Sequence, residues 1–322
     1  AATGGLISIT TGYSEQSTSG TFSLDTANAG QSGVSGAIHF ASGTSSAGTS
    51  GLISLATGDA VSGAGGNIEF LVGTGNANDG GDVIVSAGET TDKASSGGLI
   101  LISAGHGSST ASDDGGDGGA LLLYGGEASG LEATDDVGGN IEIVGGCATA
   151  ATGGSLMFQT GSGTRTSSGN VYLWTANGAV SGSGGVSGSI SFETGTTTLG
   201  NSGYLYCGTG DATDGRGGNI SLQVGTGDSG DGGNLYIYAG ETTEAGQTGG
   251  CLSVLAGHGS YSASGQNGGS GGTVMIHGGA AKGNLADNDG GNLECHGGPA
   301  AAGPGGAILL QTGYSMASSS GD

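Results

Sequence analysis

One short template recurs along the whole chain, and this repetition limits the accessible folds more than length or composition does. A Gly-Gly or Ser-Gly pair is followed by x-φ-x-φ-x, with φ apolar, then by a small residue, a Gly and a polar tail. Examples are Gly4-Gly5-Leu6-Ile7-Ser8-Ile9-Thr10-Thr11-Gly12, Gly65-Gly66-Asn67-Ile68-Glu69-Phe70-Leu71-Val72-Gly73 and Gly217-Gly218-Asn219-Ile220-Ser221-Leu222-Gln223-Val224-Gly225. The template fits about nineteen times at a usual spacing of about 15 residues, which reads as one coil of a solenoid. Within each copy the apolar positions are two apart, the period of a strand and not of a helix. Pairs such as Ile7/Ile9, Ile38/Phe40, Ile100/Ile102, Ile141/Ile143, Leu235/Ile237 and Ile308/Leu310 carry it.

A strand this short is not stable alone. Equivalent strands stacked in register about 4.8 Å apart would form a parallel sheet with one inward ladder of Ile, Leu, Val and Phe. The flanking glycines would then serve two sharp turns per coil, where positive φ and close backbone passage are needed. The predicted fold is therefore all-β: a single-stack parallel β-solenoid (β-helix) of about 15-residue coils. The coil should be thin and flattened, because tails such as Thr74-Gly75-Asn76-Ala77-Asn78-Asp79 bring no large apolar residue to the other wall. Burying two medium side chains per coil stabilises by roughly 3 to 6 kcal/mol. Ordering the coil costs roughly 1 to 2 kcal/mol per residue, so hydrogen bonds between coils and lateral contacts must supply the difference.

A longer period lies above the coil. Residues 50–161 realign with residues 202–313 at an offset of about 152 residues, or about nine coils. Ala87-Gly88-Glu89-Thr90-Thr91 returns as Ala239-Gly240-Glu241-Thr242-Thr243, and Ala104-Gly105-His106-Gly107-Ser108 as Ala256-Gly257-His258-Gly259-Ser260. Thr312-Gly313-Tyr314-Ser315 repeats Thr11-Gly12-Tyr13-Ser14. The expected organisation is one continuous solenoid over residues 1–322, with super-repeat units 1–152 and 153–304 and the start of a third at 305–322. Insertions at residues 108–118 and 260–271, each followed by another long coil, share the period, placing matching protrusions roughly 43 Å apart along the axis. A periodic polymer uses such spacing and a catalytic domain does not.

Composition removes the competing architectures. Of 322 residues, 80 are Gly but only 2 are Pro, so collagen is excluded. A flexible linker would lack the regularly placed aliphatic residues. Against 4 Lys plus Arg stand 27 Asp plus Glu, a net charge of −23 that disfavours nucleic acid and anionic membranes. No run of about 18 apolar residues is present, so no membrane span is expected. No signal peptide is visible and Gly4-Gly5 already belongs to the pattern, so a mature product or a piece of a longer chain is expected.

Few residues suggest chemistry. Cys147, Cys207, Cys251 and Cys295 form no CxxC and no disulfide framework. His106 and His258 sit among Gly, Ser and Ala, without the Cys, His or carboxylate partners that a metal or catalytic role needs. The outward Glu69, Glu142, Glu193 and Glu294 lie several coils apart, so no carboxylate pair for glycoside hydrolysis is expected. The loops holding Asp113, Asp114 and Asp117, and Asp287 and Asp289, resemble the calcium-binding Gly-Gly-x-Gly-x-Asp repeat. These five are the candidates for weak calcium binding, the one cofactor considered, and a solvated turn is the competing reading. Outward positions Tyr172, Trp174, Tyr204, Tyr206, Tyr236 and Tyr238 make an exposed aromatic row that calls for a cover: a neighbouring chain, a stacked glycan or another part of this same chain. Asn219-Ile220-Ser221 is the one N-glycosylation sequon.

The repeating Gly-Gly-x-Ile-x-Leu-x-Thr-Gly unit with Ser/Thr/Ala/Gly turns resembles the low-complexity solenoid repeats of mastigoneme proteins, the tubular flagellar hairs of heterokont algae. It is more distantly similar to filamentous adhesin and surface-layer repeats. The mastigoneme resemblance implies secretion, polymerisation into a hair shaft and no catalysis; the Cys-rich modules of that family have no counterpart here. The expected function is a structural subunit of an extracellular filament or cell-surface hair, assembling with itself through stacked coils and lateral sheet contacts. An ice-binding or glycan-binding β-solenoid is the alternative. Mixed outward triplets such as Asn67/Glu69/Leu71 and Thr273/Met275/His277 lack the regular Thr array that ice binding requires.

Overall fold

The computed structural model describes residues 4–110, 115–130, 136–178, 185–260 and 269–313. The chain divides into two units, Ala1–Ser167 and Ser168–Asp322. Each alternates extended segments, which carry the apolar template, with loops that close on themselves.

The extended geometry shows in contacts between residues two apart. In the first unit the Ser23 hydroxyl donates to Asp25; in the second, Ser191 donates to Glu193 at 2.8 Å and Glu294 lies 3.5 Å from His296. Such pairs meet only where alternate side chains share a face. The two faces also differ in exposure: Ile100 is 47% exposed, against 82% for Leu99 and 78% for Leu101 on either side.

The loops close through their glycines. In the first unit the N–H of Gly20 donates to the carbonyl of Gly12 at 3.0 Å, Gly98 to Gly88 at 2.8 Å, Gly119 to Gly105 at 2.9 Å, Gly139 to Gly126 at 2.8 Å and Gly154 to Gly146 at 2.8 Å. In the second, Gly250 donates to Gly240, Gly272 to Gly257, Gly291 to Gly279 and Gly306 to Gly298, at 2.8 to 2.9 Å. Other necks are closed by threonine: the Thr26 hydroxyl donates to the Gly36 carbonyl at 3.1 Å, and Thr194 and Thr209 do the same to Gly203 and Gly218. In these loops the small residue and Gly that end a template copy are thus the first half of a neck, and the next Gly-Gly or Ser-Gly pair is the second.

These necks overturn the predicted β-solenoid. A stacked coil needs hydrogen bonds from one extended segment to the equivalent position of the next. The neck bond instead ties the end of one segment to the start of the following one, across the loop. Beyond it the two arms form no ladder, and no residue of the described chain is in a helix or a strand. The expected inward ladder is absent from the described residues too. No described side chain is buried, and even Val224, the best covered of the large apolar residues, is 43% exposed. The chain exposes 31773 Å², where a folded monomer of its 30.0 kDa mass would expose about 12,000 Å². The physical reason is the missing second wall: loops of Gly, Ser, Thr and Asp offer no apolar surface for the segments to pack against, so coil formation cannot offset the ordering entropy.

The loops nevertheless adopt specific shapes, and the same shapes recur in both units. Positive φ occurs at Ser62 (64°) and Asp214 (56°), at Asn78 (58°) and Gly230 (72°), at Ala94 (60°) and Gly246 (76°), and at Gly48 (121°) and Gly200 (119°), each pair occupying equivalent sites of the long sequence period. Loop 88–98 and loop 240–250 also share a threonine turn, in which Thr90 Oγ1 accepts from the N–H of Asp92 and Thr242 Oγ1 from that of Glu244. Ala94 therefore holds a left-handed conformation where the second unit has glycine, at a cost of about 1 to 2 kcal/mol. Ala94→Gly should relieve that strain and slow hydrogen exchange of the Gly98 amide at the neck several-fold; unchanged exchange would show that the loop does not hold this conformation in solution.

Candidate functional site

The strongest surface feature is aromatic. Asn170, Tyr172 and Trp174 lie on one face of an extended segment, and Asn234, Tyr236 and Tyr238 repeat the arrangement later in the second unit. In both, the asparagine Nδ2 donates to the tyrosine hydroxyl two residues on, at 2.9 Å. The Tyr172 and Trp174 rings meet edge to face with centroids 6.0 Å apart, and those of Tyr236 and Tyr238 stack at 5.8 Å. All four rings are exposed. Alternation along an extended backbone places these rings together, and the amide bond fixes the first ring of each pair. Flat, exposed rings beside an amide can stack against another ring, an aliphatic side chain or a sugar face. Tyr204 and Tyr206, equally exposed, occupy the corresponding face of their own segment.

The acidic candidates among the described residues are Asp117, Asp287 and Asp289. Asp113 and Asp114 lie outside the described residues. Asp117 is next to the neck of its long loop, and Asp287 and Asp289 flank a turn in which the N–H and the Nδ2 of Asn288 both donate to the Leu285 carbonyl, at 3.1 and 3.2 Å. Among the described residues no three His, Cys, Asp or Glu side chains gather as a metal would require. His106 and His258 stand at equivalent loop positions. The four cysteines are exposed free thiols. Asn219, in the sequon, is exposed at the start of its segment, directly after the Thr209/Gly218 neck.

Sequence reasoning missed the necks themselves. Their signal was present as the small-Gly pair before each tail and the Gly-Gly pair after it, which read equally well as the two corners of a coil. The Gly126/Gly139 and Gly279/Gly291 necks are tight enough to demand glycine just before the accepting residue. A methyl group on Gly125 would overlap the carbonyl oxygen of Gly139, and one on Gly278 that of Gly291, whereas one on Gly126 or Gly279 would meet nothing within 4 Å. No described helix is long and apolar enough to cross a membrane. No protein-family model, no curated protein sequence and no solved structure matches the chain.

Proposed function

We propose that this chain is a structural subunit of an extracellular filament or cell-surface hair, that it gains its apolar burial from other copies of itself, and that it is not an enzyme. The observation that carries this is the surface: apolar side chains recur in every extended segment, and none of those described is buried. Exposed apolar surface on this scale is the property of an interaction surface. The resemblance to mastigoneme repeats points the same way, toward a secreted polymer, and the exposed sequon at Asn219 suits such a compartment.

The single tryptophan is a built-in reporter. Trp174 is 72% exposed, so its emission in dilute solution should be that of hydrated indole. As the chain is concentrated or the salt raised, the emission should shift to the blue while negative-stain images show filaments. Particles that stay single, with unshifted emission up to millimolar concentration, would end the filament reading.

A further inference from the structure

We infer that the surface covering these segments is a second copy of the chain running in the same direction at zero shift, so that each extended segment lies beside its own counterpart. This deepens the filament reading and rests on it. Three observations carry it. The segments are extended and, among the described residues, their backbones form no ladder, which leaves them open to pair with another extended chain. The available surface is ample: a stable interface takes about 800 Å² per partner, a small fraction of the 31773 Å² this chain exposes. The third observation is the order of the loops.

Where a loop is pinched at a neck the chain spans a set number of residues, and these spans are unequal along the chain. The neck Gly146/Gly154 encloses a short loop, whereas its predecessors Gly105/Gly119 and Gly126/Gly139 enclose long ones. Two copies pair along many segments only where the loops of both leave their segments at the same places. A shift of one or two coils sets a short loop beside a long one and throws the following segments out of step, and a one-residue slip turns the apolar face over. Running the copies in opposite directions fails as well, because the succession of lengths does not read the same reversed. A shift of one long period comes closer, but Gly105/Gly119 and Gly126/Gly139 then face Gly257/Gly272 and Gly279/Gly291, each a residue different in length. Zero shift alone matches every loop.

The native thiols test this. All four cysteines are exposed and free, so chains retaining only Cys207 or only Cys251, the others being serine, should assemble as the parent does. Parallel neighbours at zero shift hold like Cα atoms about 4.8 Å apart, inside the roughly 4.4 to 6.8 Å range that a disulfide spans. Diamide, which takes up the two electrons and two protons released when two thiols join, is added to sedimented assemblies. The expected result is a covalent dimer from either variant alone and, in an isotope-labelled mixture of the two, like-to-like links only. Links joining Cys207 to Cys251, or assemblies without links, overturn the pairing. So does a link between the Cys207-only chain and a chain whose single thiol comes from Leu55→Cys, which marks a shift of one long period. If nothing sediments at any salt concentration, the filament reading itself fails, and the two failures are thereby told apart.

Discussion

Heated in dilute solution, the chain will show no cooperative unfolding transition, and one will appear only in assembled material, at a midpoint that rises with protein concentration. Cooperative melting requires a packed interior whose loss releases many contacts together. Within one chain the described residues have no such interior. Loops held by single neck hydrogen bonds, each contributing about 1 kcal/mol, will open independently and over a broad range. Once copies cover one another's segments, burial at roughly 25 cal/mol per Å² over many repeats supplies the missing cooperativity. Stability then depends on concentration by mass action. The charge of −23 opposes this association. Raising salt from low levels to about 0.15 M shortens the screening length to about 8 Å and should lower the concentration needed for assembly several-fold. Calorimetry and sedimentation across concentration and salt check this; a sharp, concentration-independent transition in the dilute chain would mean that it carries a core of its own.

The second large effect is expected from a single methyl group. Gly125→Ala and Gly278→Ala should each abolish closure of one neck, whereas Gly126→Ala and Gly279→Ala, immediately beside them, should be tolerated far better. The contrast follows from what the new Cβ meets: a backbone carbonyl oxygen in the first pair, and open space in the second. A side chain can rotate away from a clash, but the carbonyl of Gly139 or Gly291 is main chain on the residue whose N–H makes the neck bond, so relieving the overlap shifts the backbone at the neck itself. In the clashing variants, hydrogen exchange at the Gly139 or Gly291 amide should rise to the open-chain rate, and assembly should weaken because one loop no longer has a fixed length. Equal behaviour of neighbouring variants would show that the necks do not persist in solution.

The period-two spacing of Ile100 and Ile102, or of Leu235 and Ile237, correctly announces an extended backbone with two unlike faces. It says nothing about what lies against those faces, because any neighbour, from the same chain or another, satisfies the same alternation. The aromatic candidates were legible for the same reason: residues 172 and 174, like 236 and 238, must share a face of an extended segment whatever surrounds it. The hydrogen bonds from Asn170 and Asn234 to the tyrosine hydroxyls follow from that alternation, yet they became visible only with the side chains in place. The calcium candidates rested on a likeness of residue types in loops, and among the described residues no cluster of three potential ligands forms.

Residue order alone specifies the short-range features of this protein: extended backbone where apolar residues alternate, chain reversal where glycine gathers, and the long period on which both recur. Which residues close each reversal was decided in three dimensions, where Gly139 bonds back to Gly126 and not to an equivalent position in the next coil. The difference is physical. Alternation and turn formation are properties of a few consecutive dihedral angles, whereas the choice between a stacked coil and a pinched loop depends on whether a second apolar wall exists to be buried, and these loops provide none.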